Sequence, residues 1–174
     1  MHRINTISNQ LTAKSYHECN LNEKFGNLKG RTLLITGASR GIGLSIAKKA
    51  ARDGANIAIL AKTTEPHPKL PGTIYTAAEE LRKLGGKAIA LKCDIRFEKE
   101  VQAAIDATVK AFGGIDIVIN NASAIQMKNS EDMDMKKYDL IHSINVRGTF
   151  LVSKLCLPHL KKGTNPQIMV LCPP

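Results

Sequence analysis

Arg31-Thr32-Leu33-Leu34-Ile35-Thr36-Gly37-Ala38-Ser39-Arg40-Gly41-Ile42-Gly43 joins a short apolar run, rich in β-branched residues, to a glycine-rich turn. The segment that follows, Ile42 to Arg52, has the pattern of a helix. A buried strand, a glycine turn and a helix in that order present backbone N–H groups and a positive helix end at one point, which suits a pyrophosphate. Each glycine has a steric reason to be there. Gly37 permits the sharp exit from the strand, Gly41 lets backbone approach a phosphate, and Gly43 lets the helix lie close to the sheet. Ala38, Ser39, Arg40 and Ile42 complete the candidate phosphate-binding turn.

The same alternation runs outward from this stretch. Asn56 to Ala61 is a second apolar strand, and a loop with Pro66, Pro68 and Pro71 follows it. Thr73 to Leu84 sets Ile74, Ala77, Leu81 and Leu84 on one helical face, and Lys87 to Cys93 is a third strand. A helix with Val101, Ala104, Thr108 and Phe112 inward leads to a strand at Ile115 to Asn120, a long helix from about Met135, and a fifth strand at Gln167 to Cys172. Strands apolar on both faces, separated by amphipathic helices, require a parallel sheet covered on both sides. The expected fold is therefore α/β, a doubly wound parallel sheet of Rossmann type. Residues 1–29 form an N-terminal extension and residues 30–174 a partial nucleotide-binding domain.

Composition agrees with a globular chain. Its 174 residues suffice for one domain, which buries roughly two thirds of its unfolded surface. No apolar run approaches the ~20 residues of a bilayer-crossing helix, so no membrane span is expected. The formal net charge is +10, but the basic residues are interspersed with acids rather than gathered with aromatics, so no nucleic-acid partner is expected. Such a surface still attracts an anionic ligand. Cys19, Cys93, Cys156 and Cys172 form no CxxC pair and the histidines show no ligand spacing, which points to a reducing compartment and no metal. The extension is hydroxyl-rich and has no acid before Glu18, a texture shared by frayed termini and by mitochondrial transit segments.

The cofactor type follows from the end of the second strand. An NAD site of this architecture usually ends that strand with an acid that holds the ribose 2′-hydroxyl. Here Leu60-Ala61-Lys62 stands in its place. Ala61 leaves room for a 2′-phosphate, and Lys62 and Arg40 are cations within reach of it, so NADP(H) is expected. The alternative for either residue is an exposed loop cation.

The glycine spacing G-x-x-x-G-x-G resembles that of the short-chain dehydrogenase/reductase family, and the resemblance extends from about Gly30 to Cys172. It implies that Asp94 contacts adenine, although Asp94 also suits an N-cap of the next helix. Asn120-Asn121-Ala122-Ser123 is similar to the family's Asn-Asn-Ala-Gly turn, which implies that Asn121 faces the cofactor. Asn145 matches the asparagine that holds a water in the family's proton relay; a hydrogen-bonded structural role stays open for it.

The family's Ser, Tyr and Lys are not in place. Cys172 occupies the serine region, and Tyr16, Tyr75 and Tyr138 are followed four positions on by Asn20, Glu79 and His142. Little turnover is therefore expected from this chain, read as a fold truncated after its fifth strand with an open apolar edge. The resemblance implies a small lipid-like substrate and a peroxisomal or mitochondrial location. It leaves oligomer formation open, with the dimer helices incomplete.

Overall fold

The computed structural model describes residues 28–66 and 71–172. The N-terminal extension up to residue 27, with Cys19, and Pro68 of the proline loop lie outside the described residues.

Five strands form one parallel sheet: β1 (Thr32–Thr36), β2 (Asn56–Ala61), β3 (Lys87–Lys92), β4 (Ile117–Asn120) and β5 (Gln167–Val170). Helices α1 (Gly41–Arg52), α2 (Ile74–Lys83), α3 (Glu98–Phe112), α4 (Met135–His142) and α5 (Thr149–Leu160) connect them. Sequence expectation and structure agree on every strand to within two residues. Thr73 and Leu84 prove to be the caps of α2 rather than members of it. The Thr73 hydroxyl accepts from the Thr76 amide while the Thr76 hydroxyl accepts from the Thr73 amide, a reciprocal arrangement worth about 1 kcal/mol. The long helix from Met135 is interrupted: Ser143–Gly148 is a π-helical turn between α4 and α5.

Strand order is β3-β2-β1-β4-β5. The chain winds outward from β1 to β3, then crosses back to place β4 on the other side of β1. Helices on both faces explain why the central strands β1, β2 and β4 are apolar on both sides. Leu33, Ile35, Ile57, Ile59, Ile117 and Ile119 face α1 and α2, where Ala47, Ala50, Ala77 and Leu81 cover them. Leu34, Ala58, Leu60 and Val118 face the other way, onto Val101, Ile105, Val152 and Cys156 of α3 and α5. β5 is an edge strand whose Ile168, Met169 and Val170 are all exposed.

Register brings the strand ends level. Thr36 pairs with Leu60, Ala61 with Lys92, and Ile35 with Ile119. The residues just past each C-terminal end, Gly37, Lys62, Asp94 and Asn121, therefore gather at one end of the sheet, where the order reverses between β1 and β4.

Candidate nucleotide-binding site

The turn after β1 is held by the turn after β4. The Thr36 hydroxyl, wholly buried, accepts the backbone N–H groups of both Asn121 and Ala122 at 3.0 Å. Asn121 donates its side-chain amide to the carbonyls of Thr36 (2.9 Å) and Gly37 (3.1 Å). Thr36 stands inside the quoted motif, but the sequence reading assigned it no role. A hydroxyl at the buried end of an apolar strand, one residue before a glycine, was the available signal.

The glycines are needed for different reasons. Gly37 has a φ of +69°, and a Cβ there would lie 2.8 Å from the Ala122 Cα. Gly41 has a φ of +58° and open space where its Cβ would be. Gly43 was expected to let α1 lie close to the sheet; an added Cβ there would lie 2.5 Å from Nδ2 of Asn121, directly after β4, and 3.0 Å from the carbonyl oxygen of Gly37, directly after β1. Arg40, extended at the N-cap of α1, supplies no side-chain cap to this 12-residue helix, whose positive end faces the turn.

A cavity of about 570 Å³ opens beside this turn. Gly37, Ser39, Ile42, Lys62, Asp94 and Asn121 border it. Ile42, 68% exposed on this rim, is an apolar surface of the kind a nucleoside covers. Ala38 is buried beneath the turn. Arg40 flanks it and donates from Nη2 to the Thr63 hydroxyl at 3.1 Å, which places its guanidinium at the end of β2 beside Lys62. Another cavity, of about 420 Å³, lies at the opposite end of the strands beside Thr32 and Asp116. Ligands of open α/β sheets bind at the carboxyl ends, which selects the first.

Asp94 is not the cap of α3, because that position is Phe97. Its carboxylate instead accepts from the Arg96 backbone N–H (3.1 Å) and from Nε and Nη2 of the Arg96 side chain. The Arg96 guanidinium holds the carboxyl below the usual carboxylate range, against the opposing effect of burial. Lys62 Nζ stands 3.6 Å from the same carboxylate. Arg96 was missed from sequence, since nothing in an Asp-Ile-Arg triplet announces a chelate.

Asn145 lies in the π-helical turn and its amide is engaged on both sides. Oδ1 accepts from the Ala124 N–H and Nδ2 donates to the Ala124 carbonyl, each at 2.9 Å. The side chain thus pins the loop after β4 to the helix, the structural role left open above. Burial pushes the thiols of Cys93 and Cys156 up to about 12. Among the described residues no three His, Cys, Asp or Glu side chains come together as a metal site, and no helix is long and apolar enough to cross a membrane.

Residues 31–172 match the family model for short chain dehydrogenase. The chain is 58% identical over 149 residues to hydroxysteroid dehydrogenase-like protein 2 of Danio rerio and 56% identical to that of Homo sapiens. In both cases the match covers 86% of this chain and 36% of the relative, so the chain spans about a third of the length of these proteins. Among solved structures it is similar to a short chain dehydrogenase from Mycobacterium thermoresistibile, with a TM-score of 0.82 and 55% identity over 84% of this chain and 52% of that one. It is also similar to an NADH-dependent reductase complexed with NAD, with a TM-score of 0.71 and 32% identity over 82% of this chain and 59% of that one.

Proposed function

This chain belongs to the short-chain dehydrogenase family, and we propose that it forms the cofactor-holding part of an NADP(H)-dependent oxidoreductase acting on a carbonyl or hydroxyl group of a small lipid-like molecule. The observation that carries the cofactor choice is the end of β2. Ala61 is followed by Lys62, Arg40 is hydrogen-bonded to Thr63 beside it, and no carboxylate takes the place of the usual ribose acid. The similar NADH-dependent reductase shows that the family's fold also serves NAD, so these side chains, not the fold, support NADP.

The residues present fit a dinucleotide. The start of α1, uncapped by the Arg40 side chain, suits the pyrophosphate, Ile42 and the cavity wall suit the adenosine, and the turn of Asn121 and Ala122 borders the inner end. The bound cofactor would supply or take the hydride. Asn121 and Thr36 would keep the phosphate turn rigid, and Asn145 would fix the Ala124 loop at the cavity edge. The lipid-like substrate and a peroxisomal or mitochondrial location are parts of the proposal carried by the resemblance alone.

No tyrosine of the chain is followed by lysine four residues on. The chain by itself should therefore bind cofactor with little turnover, because positioned acid–base groups typically contribute about 10² to 10⁴ in rate. Fluorescence titration with NADPH and NADH tests the reading. We expect NADPH to bind about tenfold to a thousandfold tighter, from a 2′-phosphate close to two partly solvated cations. Lys62→Asp should narrow or reverse that preference. Equal affinities in the unaltered chain would refute the NADP assignment, and binding of neither cofactor would refute the nucleotide site.

A further inference from the structure

Lys62 has a competitor for its charge. The Asp94 carboxylate is only 12% exposed and lies 3.6 Å from Lys62 Nζ, close enough to attract the ammonium but beyond hydrogen-bond range. A buried carboxylate needs hydrogen-bonded partners, and Arg96 provides them in full. Its Nε lies 3.0 Å from Oδ1 and 3.1 Å from Oδ2, its Nη2 lies 2.5 Å from Oδ2, and its backbone N–H adds a fourth bond to Oδ1 at 3.1 Å.

Arg96 is itself braced. Its guanidinium carbon sits 5.4 Å from the centroid of the Phe97 ring, and its backbone carbonyl accepts from Arg147 Nη1 at 2.6 Å. The fork therefore meets the carboxylate from a backbone fixed at both ends, while the Lys62 side chain, 60% exposed, remains mobile enough to choose between partners.

We infer that Arg96 is a positioning residue for coenzyme selectivity: by saturating Asp94 it leaves Lys62 directed to the 2′-phosphate of NADP(H). The inference rests on the NADP reading above. Without Arg96, the buried carboxylate would draw Lys62 the remaining fraction of an ångström into a hydrogen-bonded pair, and the 2′-phosphate would lose that cation. NADH, which has no 2′-phosphate, would not register the change.

The test is the ratio of NADH to NADPH dissociation constants, since any effect of Asp94 on adenine is common to both coenzymes and cancels. Arg96→Gln should lower this selectivity about threefold to tenfold, the size expected of one partly screened charge pair. The double variant Arg96→Gln with Asp94→Asn should restore it to within about twofold, because the competitor has been removed too. An unaltered chain that binds both coenzymes equally overturns the NADP reading itself. A selective parent whose ratio is unchanged in Arg96→Gln overturns the positioning role alone. A ratio that falls and is not restored in the double variant also overturns it, since Arg96 would then act through its own charge on the phosphate. If circular dichroism shows Arg96→Gln to be unfolded, Asp94→Asn decides alone: selectivity at or above the parent's supports the inference, and a fall overturns it.

Discussion

Replacing Gly43 with alanine sets two effects of opposite sign against each other. Inside a helix alanine is ordinarily favoured over glycine by roughly 0.5–1 kcal/mol, because glycine loses more backbone freedom on folding. At this position the new Cβ would lie 2.5 Å from Asn121 Nδ2, and 3.0 Å from both the Ala38 Cα and the Gly37 carbonyl oxygen. Asn121 must then move, and its two bonds to the carbonyls of Thr36 and Gly37 are lost. At a central value of about 1 kcal/mol each, these outweigh the helix gain and leave a net destabilisation of roughly 1 kcal/mol. For a domain of this size that is a fall in Tm of roughly 2–4 °C. Thermal unfolding followed by circular dichroism measures it, with Gly114→Ala as the control, since nothing lies within 4 Å of an added Cβ there. The cost of Gly43→Ala should shrink in an Asn121→Ala background, where the obstructing amide is already gone. A neutral or stabilising Gly43→Ala, or a cost unchanged by removing Asn121, would refute the reasoning.

Two further outcomes follow from the same interior. Thr36→Val keeps the shape of the side chain but removes the acceptor shared by the Asn121 and Ala122 amides, and should cost about 1–3 kcal/mol; a melt indistinguishable from that of the parent would show that those amides find water instead. Thiol labelling of the native chain with iodoacetamide at pH 8, mapped by mass spectrometry, should mark exposed Cys172 well before Cys93 or Cys156. At a pKa of about 12 the latter two hold only about one thiolate in 10⁴, so early labelling at either would contradict the burial described.

Legibility in the sequence followed the range of the interaction. Apolar runs of four to six residues and amphipathic periods are local, so β1 to β5 and their connecting helices were placed with small end errors. The glycine turn was legible for the same reason: its spacing, the strand before it and the helix after it lie within 22 residues, from Arg31 to Arg52. What escaped were contacts between distant positions. Gly43 is constrained by Asn121, 78 residues away, and Thr36 serves amides 85 and 86 residues on. Asp94 suits an N-cap by residue type, yet the chain runs three residues further before α3 begins, and its carboxylate turns to Arg96 instead. The π-helical turn at Ser143–Gly148 also left no mark, since a one-residue widening of a helix hardly disturbs its apolar period.

Electrostatics at the site is decided by neighbours, not by the total charge. A net +10 spread over the chain favours any anion and discriminates poorly between coenzymes that share a pyrophosphate. Discrimination needs a cation left over after local pairing. Around the end of β2 stand Arg40, Lys62 and Arg96 against Asp94, and Glu100, whose carboxylate accepts from the Asp94 N–H at 2.8 Å. Arg96 and Asp94 neutralise each other at contact distance, and Glu100 sits behind them on α3, directed at backbone rather than at the cavity. Lys62, 60% exposed and 3.6 Å from Asp94, is then held at the mouth beyond hydrogen-bond range of that carboxylate, and a 2′-phosphate is the group on which NADP differs from NAD. On the proposed NADP reading, selectivity would thus depend less on how many basic residues the chain carries than on how firmly Arg96 engages the acid beside Lys62.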